Sequence, residues 1–362
     1  MASIDKRPNG RYLARWREYP GGPQKSRQFA RKVDAEKYLV KVQHELLTGV
    51  YIDPGKLKTT VKDFHDVWLA RKVWRPRTVL SAKTAMGHFL PVFGDRPIGS
   101  VHTGDLEAWA AGLSMSPSTV RLTMQYVSSL FSAATRDGFI PRNPATGAEI
   151  AKVDKIPIVP PTVEEIRKLQ EAAPGWFAIA VTLGAGAGLR QGEATGLTVD
   201  RVDFLRRQLK VDRQLRPLPP AAGQPVGLGI PKTDRSYRTV PLAAFVVDAI
   251  SAHVEEYGTG AYGLVLHHKG EPVRRATFGK FWRQTREKAG IETRYHDCRH
   301  FYASTLLSQS VPVAATAEYL GHSPAVLLST YAHLIPEDHD RARGAVEAAF
   351  KKVTDESEEQ AR

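Results

Sequence analysis

The 362-residue chain contains one cysteine, Cys298. A single thiol cannot close an internal disulfide, which excludes the small scaffolds that depend on disulfide frameworks. The sequence also lacks any run of about 18 apolar residues, so it predicts no transmembrane helix. The polar segment from Met1 to Gly10 is not followed by the apolar stretch of a secretory signal. These absences predict an intracellular, cytoplasmic protein.

The common nucleotide-binding loops are also absent. The glycine-rich segment from Gly184 to Glu193 has neither the G-x-x-x-x-G-K-[ST] pattern of a phosphate loop nor the G-x-G-x-x-G pattern of a dinucleotide site. Internal repeats and low-complexity tracts are missing as well. The sequence therefore gives no sign of ATP or NAD chemistry.

Acidic residues are few relative to basic ones. The formal net charge is +13 and the sequence pI is about 9.7, which favours a polyanionic partner, foremost a nucleic acid. An anionic membrane surface is the alternative, but no basic amphipathic helix flanked by Trp supports it. Residues 1–60 hold 13 Lys and Arg against 6 Asp and Glu, so much of the excess lies at one end of the chain.

Residues 1–55 are predicted to form a small basic α+β domain. Residues 11–17 alternate polar and apolar side chains as a half-exposed strand does, Tyr19 to Pro23 is a turn, Lys25 to Ala30 is a returning strand, and Val33 to Leu47 is a helix. Such a sheet can enter a DNA groove, although a solvated basic hairpin is the alternative. The candidate DNA contacts are Arg11, Arg15, Arg17, Lys25 and Arg27.

Two further domains and a tail are predicted. After a linker at Val50 to Lys58, residues 60–150 are helical, with helix starts at Thr60 and Ser116 and a helix stop at Gly138. Prolines then lead into a third region, residues 160–350, which opens with a capping box of Thr162 and Glu165. Residues 351–362 form a polar, flexible tail.

Four segments of the third region carry clusters of cationic and proton-transfer groups, and each residue alone has a simpler explanation. Arg190 alone is typical of a surface arginine after a glycine turn, and Tyr331 of a packed helix tyrosine. His296 and His300 imitate the spacing of a zinc-binding H-E-x-x-H helix, although Asp297 replaces the Glu. Cys298 is expected in the core. The segments are Gly184 to Glu193, Pro231 to Leu242, His296 to His300, and Leu320 to Leu334.

These segments, in this order, resemble the catalytic domain of the tyrosine recombinase (phage integrase) family. The resemblance runs from about Pro161 to Pro336 and includes a Gly-Leu-Arg-x-Gly-Glu box, a hairpin lysine, His-x-x-Arg-His, Leu-Gly-His-Ser and Thr-Tyr-x-His. It implies a multidomain, mainly α fold with small β-sheets. In this fold an arm-binding α+β domain and a helical core-binding domain precede a mixed α/β catalytic domain.

The resemblance also implies the role of each site residue. Arg190 and Arg299 would hold the non-bridging oxygens of the scissile phosphate, with His322 as a further donor. Tyr331 would be the nucleophile, His296 its proton acceptor, and Lys232 the acid that protonates the leaving 5′ oxygen. Lys210 is a less favoured substitute for that acid. Glu193 and His300 would support the cluster.

The function implied is site-specific recombination through a 3′-phosphotyrosine intermediate, with no metal, ATP or other cofactor. The partners implied are double-stranded attachment-site DNA, a homotetramer on that DNA, a DNA-bending host factor and an excisionase, in the cytoplasm or nucleoid of a bacterial host. A type IB topoisomerase and a catalytically inactive DNA-binding regulator are the alternatives. The short catalytic region argues against the first, and the complete set of catalytic residue types against the second.

Overall fold

The computed structural model describes residues 2–48, 51–152, 157–217, 226–230, 234–334, 343–344 and 346–348. The chain divides into two compact units, Met1–Lys155 and Ile156–Arg362. In the described part, no helix combines the length and the apolar character needed to cross a membrane.

The first unit begins with a three-stranded antiparallel sheet and a helix. The elements are β1 (Ser3–Lys6), β2 (Tyr12–Arg17), β3 (Gln24–Phe29) and α1 (Lys32–Leu47), and the sheet order is β1-β2-β3. Ala14 and Trp16 of β2 pack on Ala35, Leu39 and Val42 of α1 in a small apolar cluster. The predicted strands and helix are present, whereas the edge strand β1 was missed because Ser3–Lys6 has no alternating apolar pattern.

The rest of the first unit is helical. The helices are α2 (Pro54–Leu57), α3 (Val61–Ala70), α4 (Pro76–Phe93), α5 (Thr103–Ala111) and α6 (Pro117–Arg136). They surround a second apolar cluster that includes Phe64, Phe89 and Phe131. The predicted caps are confirmed, since the side chains of Thr60 and Ser116 accept from backbone N–H groups at the start of α3 and α6.

The second unit has eight helices among its described residues. They are α7 (Val163–Ala172), α8 (Gly175–Ala187), α9 (Gln191–Ala194), α10 (Ala244–Tyr257), α11 (Arg275–Ala289), α12 (Tyr295–Ser308), α13 (Val313–Leu320) and α14 (Pro324–Tyr331). The predicted capping box opens α7, because Thr162 and Glu165 each bond the other's backbone N–H. One apolar core joins α8 and α12, and Gly184 allows their close approach: a Cβ there would lie 2.9 Å from the Cβ of Cys298. Cys298 is buried in this core, as predicted.

Three small antiparallel sheets complete the second unit. The strands are β4 (Val202–Asp203), β5 (Gln208–Val211), β6 (Gln214–Pro217), β7 (Val226–Gly229), β8 (Arg238–Pro241), β9 (His267–His268) and β10 (Glu271–Pro272). They pair as β4-β5-β8, β6-β7 and β9-β10. A strand pair was expected with Lys232 near its bend: β8, which follows Lys232 in sequence, pairs with β5, and Lys232 itself lies outside the described residues. The additional hairpin β6-β7 was not predicted, because the Pro and Gly between its strands obscured the pattern.

Candidate active site

A helix-to-helix turn presents Arg190. Helix α8 ends at Gly188, which has a left-handed backbone (φ +62°) and lies so close to Tyr302 that a Cβ would be 2.5 Å from its ring. Leu189 is buried, and Arg190 then caps α9, with its backbone N–H donating to Glu193 Oε2 at 2.9 Å. The Arg190 side chain remains 34% exposed, so the turn holds a cation at the surface.

Glu193 lies buried among arginines. Its Oε1 accepts from Arg190 Nη1 at 2.8 Å, and its two oxygens accept from Arg238 Nη1 and Nη2 at 3.1 and 2.8 Å. Arg299 Nη1 is 3.9 Å from Oε2. Burial alone would raise the pKa of Glu193, but the hydrogen bonds and charges of these arginines, Arg238 above all, lower that pKa to about 2. A permanently ionised carboxylate therefore holds the cluster together.

Arg299 is fully buried in α12. Nη1 donates to Gly188 O at 2.6 Å, and Nη2 donates to Leu320 O and to His322 Nε2, the latter at 3.0 Å. Nε has no hydrogen-bond partner among the described residues. As placed, the guanidinium is oriented toward the cluster but does not reach solvent.

His322 follows the left-handed Gly321 that ends α13. Because arginine can only donate, Nε2 of His322 accepts from Arg299 and the ring proton lies on Nδ1. Partial burial, then the charges of Arg299 and Arg190, lower the pKa of His322 to about 3, so the ring is neutral. Its Nδ1 has no partner among the described residues, which leaves one donor unused.

Two histidines share one side of α12. The rings of His296 and His300 are 4.7 Å apart between centroids. His296 is exposed on the first turn, yet its pKa is lowered to about 4. The largest cause is loss of hydration around part of the ring, followed by the proximity of His300 and Arg299. His300 is buried, and its pKa is lowered chiefly by that burial. Both imidazoles are therefore neutral near pH 7, and each has one unprotonated ring nitrogen.

Tyr331, the last residue of α14, is 1% exposed and belongs to the apolar core. Its hydroxyl is 2.5 Å from Nδ1 of His300. The hydrogen-bond partner is therefore His300 and not His296, which was predicted to be the proton acceptor. Burial raises the pKa of Tyr331 to about 12, although Arg299 and Arg190 oppose that rise. In this arrangement the phenol is protonated and shielded.

Most of the sequence-predicted site residues come together. Arg190 bonds Glu193 and Arg299 bonds His322, and an ion pair of 3.9 Å between Arg299 and Glu193 joins the two pairs into one cluster. His300 links Tyr331 to α12. Lys232 lies outside the described residues. Lys210 is on β5 opposite Thr239, exposed to solvent. Among the described residues, no three His, Cys, Asp or Glu side chains are grouped as metal ligands would be.

Arg238 is the residue that sequence reasoning did not place in the site. It lies on β8, and its side chain is 1% exposed. The available signal in the sequence was that Arg238 stands two residues before the apolar Val240 and so shares its face of a strand. An arginine at such a core-facing position needs a buried anion as its partner.

The predicted DNA contacts of the first unit divide between two faces of the sheet. Residues opposite each other in antiparallel strands share a face, and Lys25 lies opposite Trp16 and Arg27 opposite Ala14, both on the face that packs on α1. Lys25 forms ion pairs with Glu18 and Asp53. Arg27 lies 5.0 Å from the ring centroid of Tyr38 in α1. Arg15 and Arg17 alternate with Ala14 and Trp16 along β2, so their side chains lie on the outer face of the sheet. Arg11 is exposed just before β2.

Comparison with known proteins agrees with this arrangement. Residues 162–337 match the model of the phage integrase family, and this span contains every residue of the cluster. The chain is 29% identical to a XerC-like tyrosine recombinase from Caldanaerobacter subterraneus subsp. tengcongensis, over 63% of this chain and 65% of that protein. It is 22% identical to the integrase of Mycobacterium phage D29, over 84% of each chain.

Two solved structures are similar in fold. The Tn1549 transposon integrase in complex with a circular-intermediate DNA has a TM-score of 0.67 and 21% identity, over 80% of this chain and 99% of that one. A lambda integrase tetramer bound to a Holliday junction has a TM-score of 0.59 and 16% identity, over 90% and 94%. These likenesses support the multidomain, mainly helical fold with small sheets.

Proposed function

The chain belongs to the phage integrase family of tyrosine recombinases, enzymes that cleave and rejoin DNA strands, and we propose that it is a site-specific recombinase whose nucleophile is Tyr331. The observation that carries the proposal is a cluster in which Arg190 and Arg299 flank the ionised Glu193 and His322 bonds Arg299. Arg299 lies on α12, the same helix as His300, which bonds Tyr331.

The cluster suits phosphodiester cleavage because negative charge grows on the scissile phosphate in the transition state. Arg190 and Arg299 would hold the non-bridging oxygens, and the unused Nδ1–H of His322 is a further donor. Glu193 neutralises part of this positive charge, so that two guanidinium groups can stay together before DNA arrives. Lys232, which lies outside the described residues, would protonate the leaving 5′ oxygen.

The proposal requires Tyr331 and Arg299 to become accessible on DNA, because both are buried as placed. Tyr331 is the final residue of α14, where a helix end can move at less cost than a helix interior. Leaving His300 and the apolar core would bring the phenol into the positive field of the arginines, which lowers its pKa. We propose that His296 then accepts the proton of the Tyr331 hydroxyl. In this proposal His300 bonds that hydroxyl only in the free protein.

The test is a nicked suicide substrate that carries a core site. Wild type should accumulate covalent DNA adduct at one position, whereas Tyr331→Phe should bind the same DNA and form none. A catalytically inactive regulator would bind without adduct, and a type IB topoisomerase would relax supercoiled DNA that lacks an attachment site. Adduct persisting in Tyr331→Phe would eliminate the assigned nucleophile.

The base assignment needs its own comparison. His296→Ala should slow adduct formation by about 10²–10⁴-fold, the usual contribution of a positioned base. His300→Ala should have the smaller effect. If His300→Ala were slower than His296→Ala, the proton acceptor would be His300, which already bonds Tyr331 in the free protein.

We further propose a tetramer on DNA, attachment sites in a phage or mobile element, and assistance by a DNA-bending host factor and an excisionase, all acting at the bacterial nucleoid in the cytoplasm. Support comes from the integrases of mycobacterial phages among the relatives and from the lambda integrase tetramer among the similar folds. Residues 1–55 would read arm sites, residues 60–150 would read core sites, and residues 160–350 would carry catalysis. The predicted tail, residues 351–362, lies outside the described residues. Deleting residues 1–55 should abolish one class of footprint and spare core binding; survival of all footprints would contradict the arm-binding role.

A further inference from the structure

Three arginines bind three successive backbone carbonyls at the end of α13. Arg238 Nε donates to Tyr319 O at 2.6 Å, Arg299 Nη2 donates to Leu320 O, and Arg190 Nη2 donates to Gly321 O at 3.2 Å. The final carbonyls of a helix lack intrahelical partners and form its negative end, so they attract cations. The next residue is His322, whose position is therefore set by this row of contacts.

Arg238 is buried, unlike Arg190, and each of its three side-chain nitrogens is engaged, whereas Nε of the equally buried Arg299 has no partner among the described residues. In Arg238, Nε is engaged with Tyr319, Nη1 with Glu193 Oε1 and Ser236 O, and Nη2 with Glu193 Oε2. Its side chain is 1% exposed, against 34% for Arg190. With its donors directed at protein acceptors, Arg238 is not arranged to bind a phosphate.

The structure assigns Arg238 as a positioning residue: it ties β8, Glu193 and the end of α13 together and so holds Arg190 and His322 in place for strand cleavage. This inference rests on the proposed function. The two terminal nitrogens of Arg238 donate to both oxygens of Glu193, and this fixes the carboxylate that Arg190 also contacts. Nε of Arg238 holds the carbonyl three residues before His322. A cluster displaced by about 1 Å can lose on the order of 10²-fold in rate.

The experiment compares Arg238→Met, which removes charge and donors, with Arg238→Lys, which keeps the charge but not the fork. Single-turnover adduct formation on the suicide substrate gives a rate constant and a half-saturating DNA concentration for each. Arg238→Met should lower the rate constant about 10- to 100-fold and leave half-saturation unchanged, and Arg238→Lys should lie between it and wild type. Adding Glu193→Gln to Arg238→Met should give about the rate of the slower single variant, because both substitutions break one link.

Two controls separate positioning from folding. Val265→Ala removes methyl groups from the same core and should lower the melting temperature without changing the rate constant of the folded protein. Arg286→Met removes an arginine that pairs with Glu292 at the surface, and it should leave the rate constant unchanged. If Val265→Ala lowered the rate constant as much as Arg238→Met does, the effect of Arg238 would be explained by stability alone and the positioning role would be contradicted.

The remaining outcomes are also decisive. If wild type formed no adduct, the proposed function itself would fail. If wild type formed adduct and Arg238→Met matched its rate constant, only the positioning role would fail. A rise in half-saturation with an unchanged rate constant would make Arg238 a DNA contact instead. Should Arg238→Met not fold, Arg238→Lys decides: a reduced rate constant supports the inference and a wild-type one contradicts it.

Discussion

Replacing Glu193 with Gln should destabilise the second unit by an amount that depends on pH. The arginines lower the pKa of this carboxyl from its ordinary 4.5 to about 2. The difference of about 2.5 units, at about 1.4 kcal/mol for each, corresponds to roughly 3 kcal/mol in favour of the folded state. Glu193 is 5% exposed, so solvent screens this interaction little.

The pH dependence has a definite sign. Because the pKa is lower in the folded state, the stabilisation is fully present above pH 4.5 and is lost as the pH falls toward 2. At pH 7, Glu193→Gln should therefore lower the melting temperature of the second unit by about 6–12 °C. By pH 3 about 2 kcal/mol of the difference should have disappeared, since the unfolded carboxyl binds a proton there and the folded one does not.

The assay is thermal unfolding of wild type and variant at pH 7 and pH 3, with Val265→Ala identifying the transition of the second unit. Glu165→Gln is the matched control, because this half-buried carboxyl caps α7 and an amide can take over that role. Equal stability of Glu193→Gln and wild type at pH 7, or a difference that stays constant with pH, would refute the reasoning.

Other predictions concern the cation at the surface, the phenol and the N-terminal sheet. Arg190→Ala should slow adduct formation about 10²–10³-fold in single-turnover assays while gel-shift binding of core DNA is retained. Because the pKa of Tyr331 is about 12, a difference titration against Tyr331→Phe should show no phenolate absorbance below about pH 11 in free protein; ionisation near 10 would mean a solvated hydroxyl. Arg17→Ala, on the outer face, should weaken arm-DNA binding and lower the salt slope by about 1. Lys25→Ala should lower the melting temperature more than the affinity, because two carboxylates hold this ammonium; the reverse would restore Lys25 as a DNA contact.

Local patterns were sufficient for most of the fold. The capping box at Thr162, the caps at Thr60 and Ser116 and the stop at Gly138 depend on residues within one helical turn, and the structure has them where they were expected. Strand β1 and the hairpin β6-β7 were missed, because their pairing depends on partners that local pattern does not reveal.

The site divides in a similar way. Arg190 and Glu193 are three residues apart, and their contact follows from one helix turn. The contacts of Arg238 and Arg299 with the end of α13 join residues 81 and 21 positions apart. Sequence order contains no measure of such distances, so the third arginine was not assigned.

The amino-acid sequence by itself determined which chemical groups are present and which short turns present them, because backbone conformation and capping are local. Only the tertiary structure decided that one buried carboxylate is shared by three arginines, that the outer and inner faces of the N-terminal sheet divide its cations, and that the phenol of Tyr331 rests on His300. The physical reason is that burial, charge coupling and hydrogen-bond partners are set by segments that meet only when the core closes.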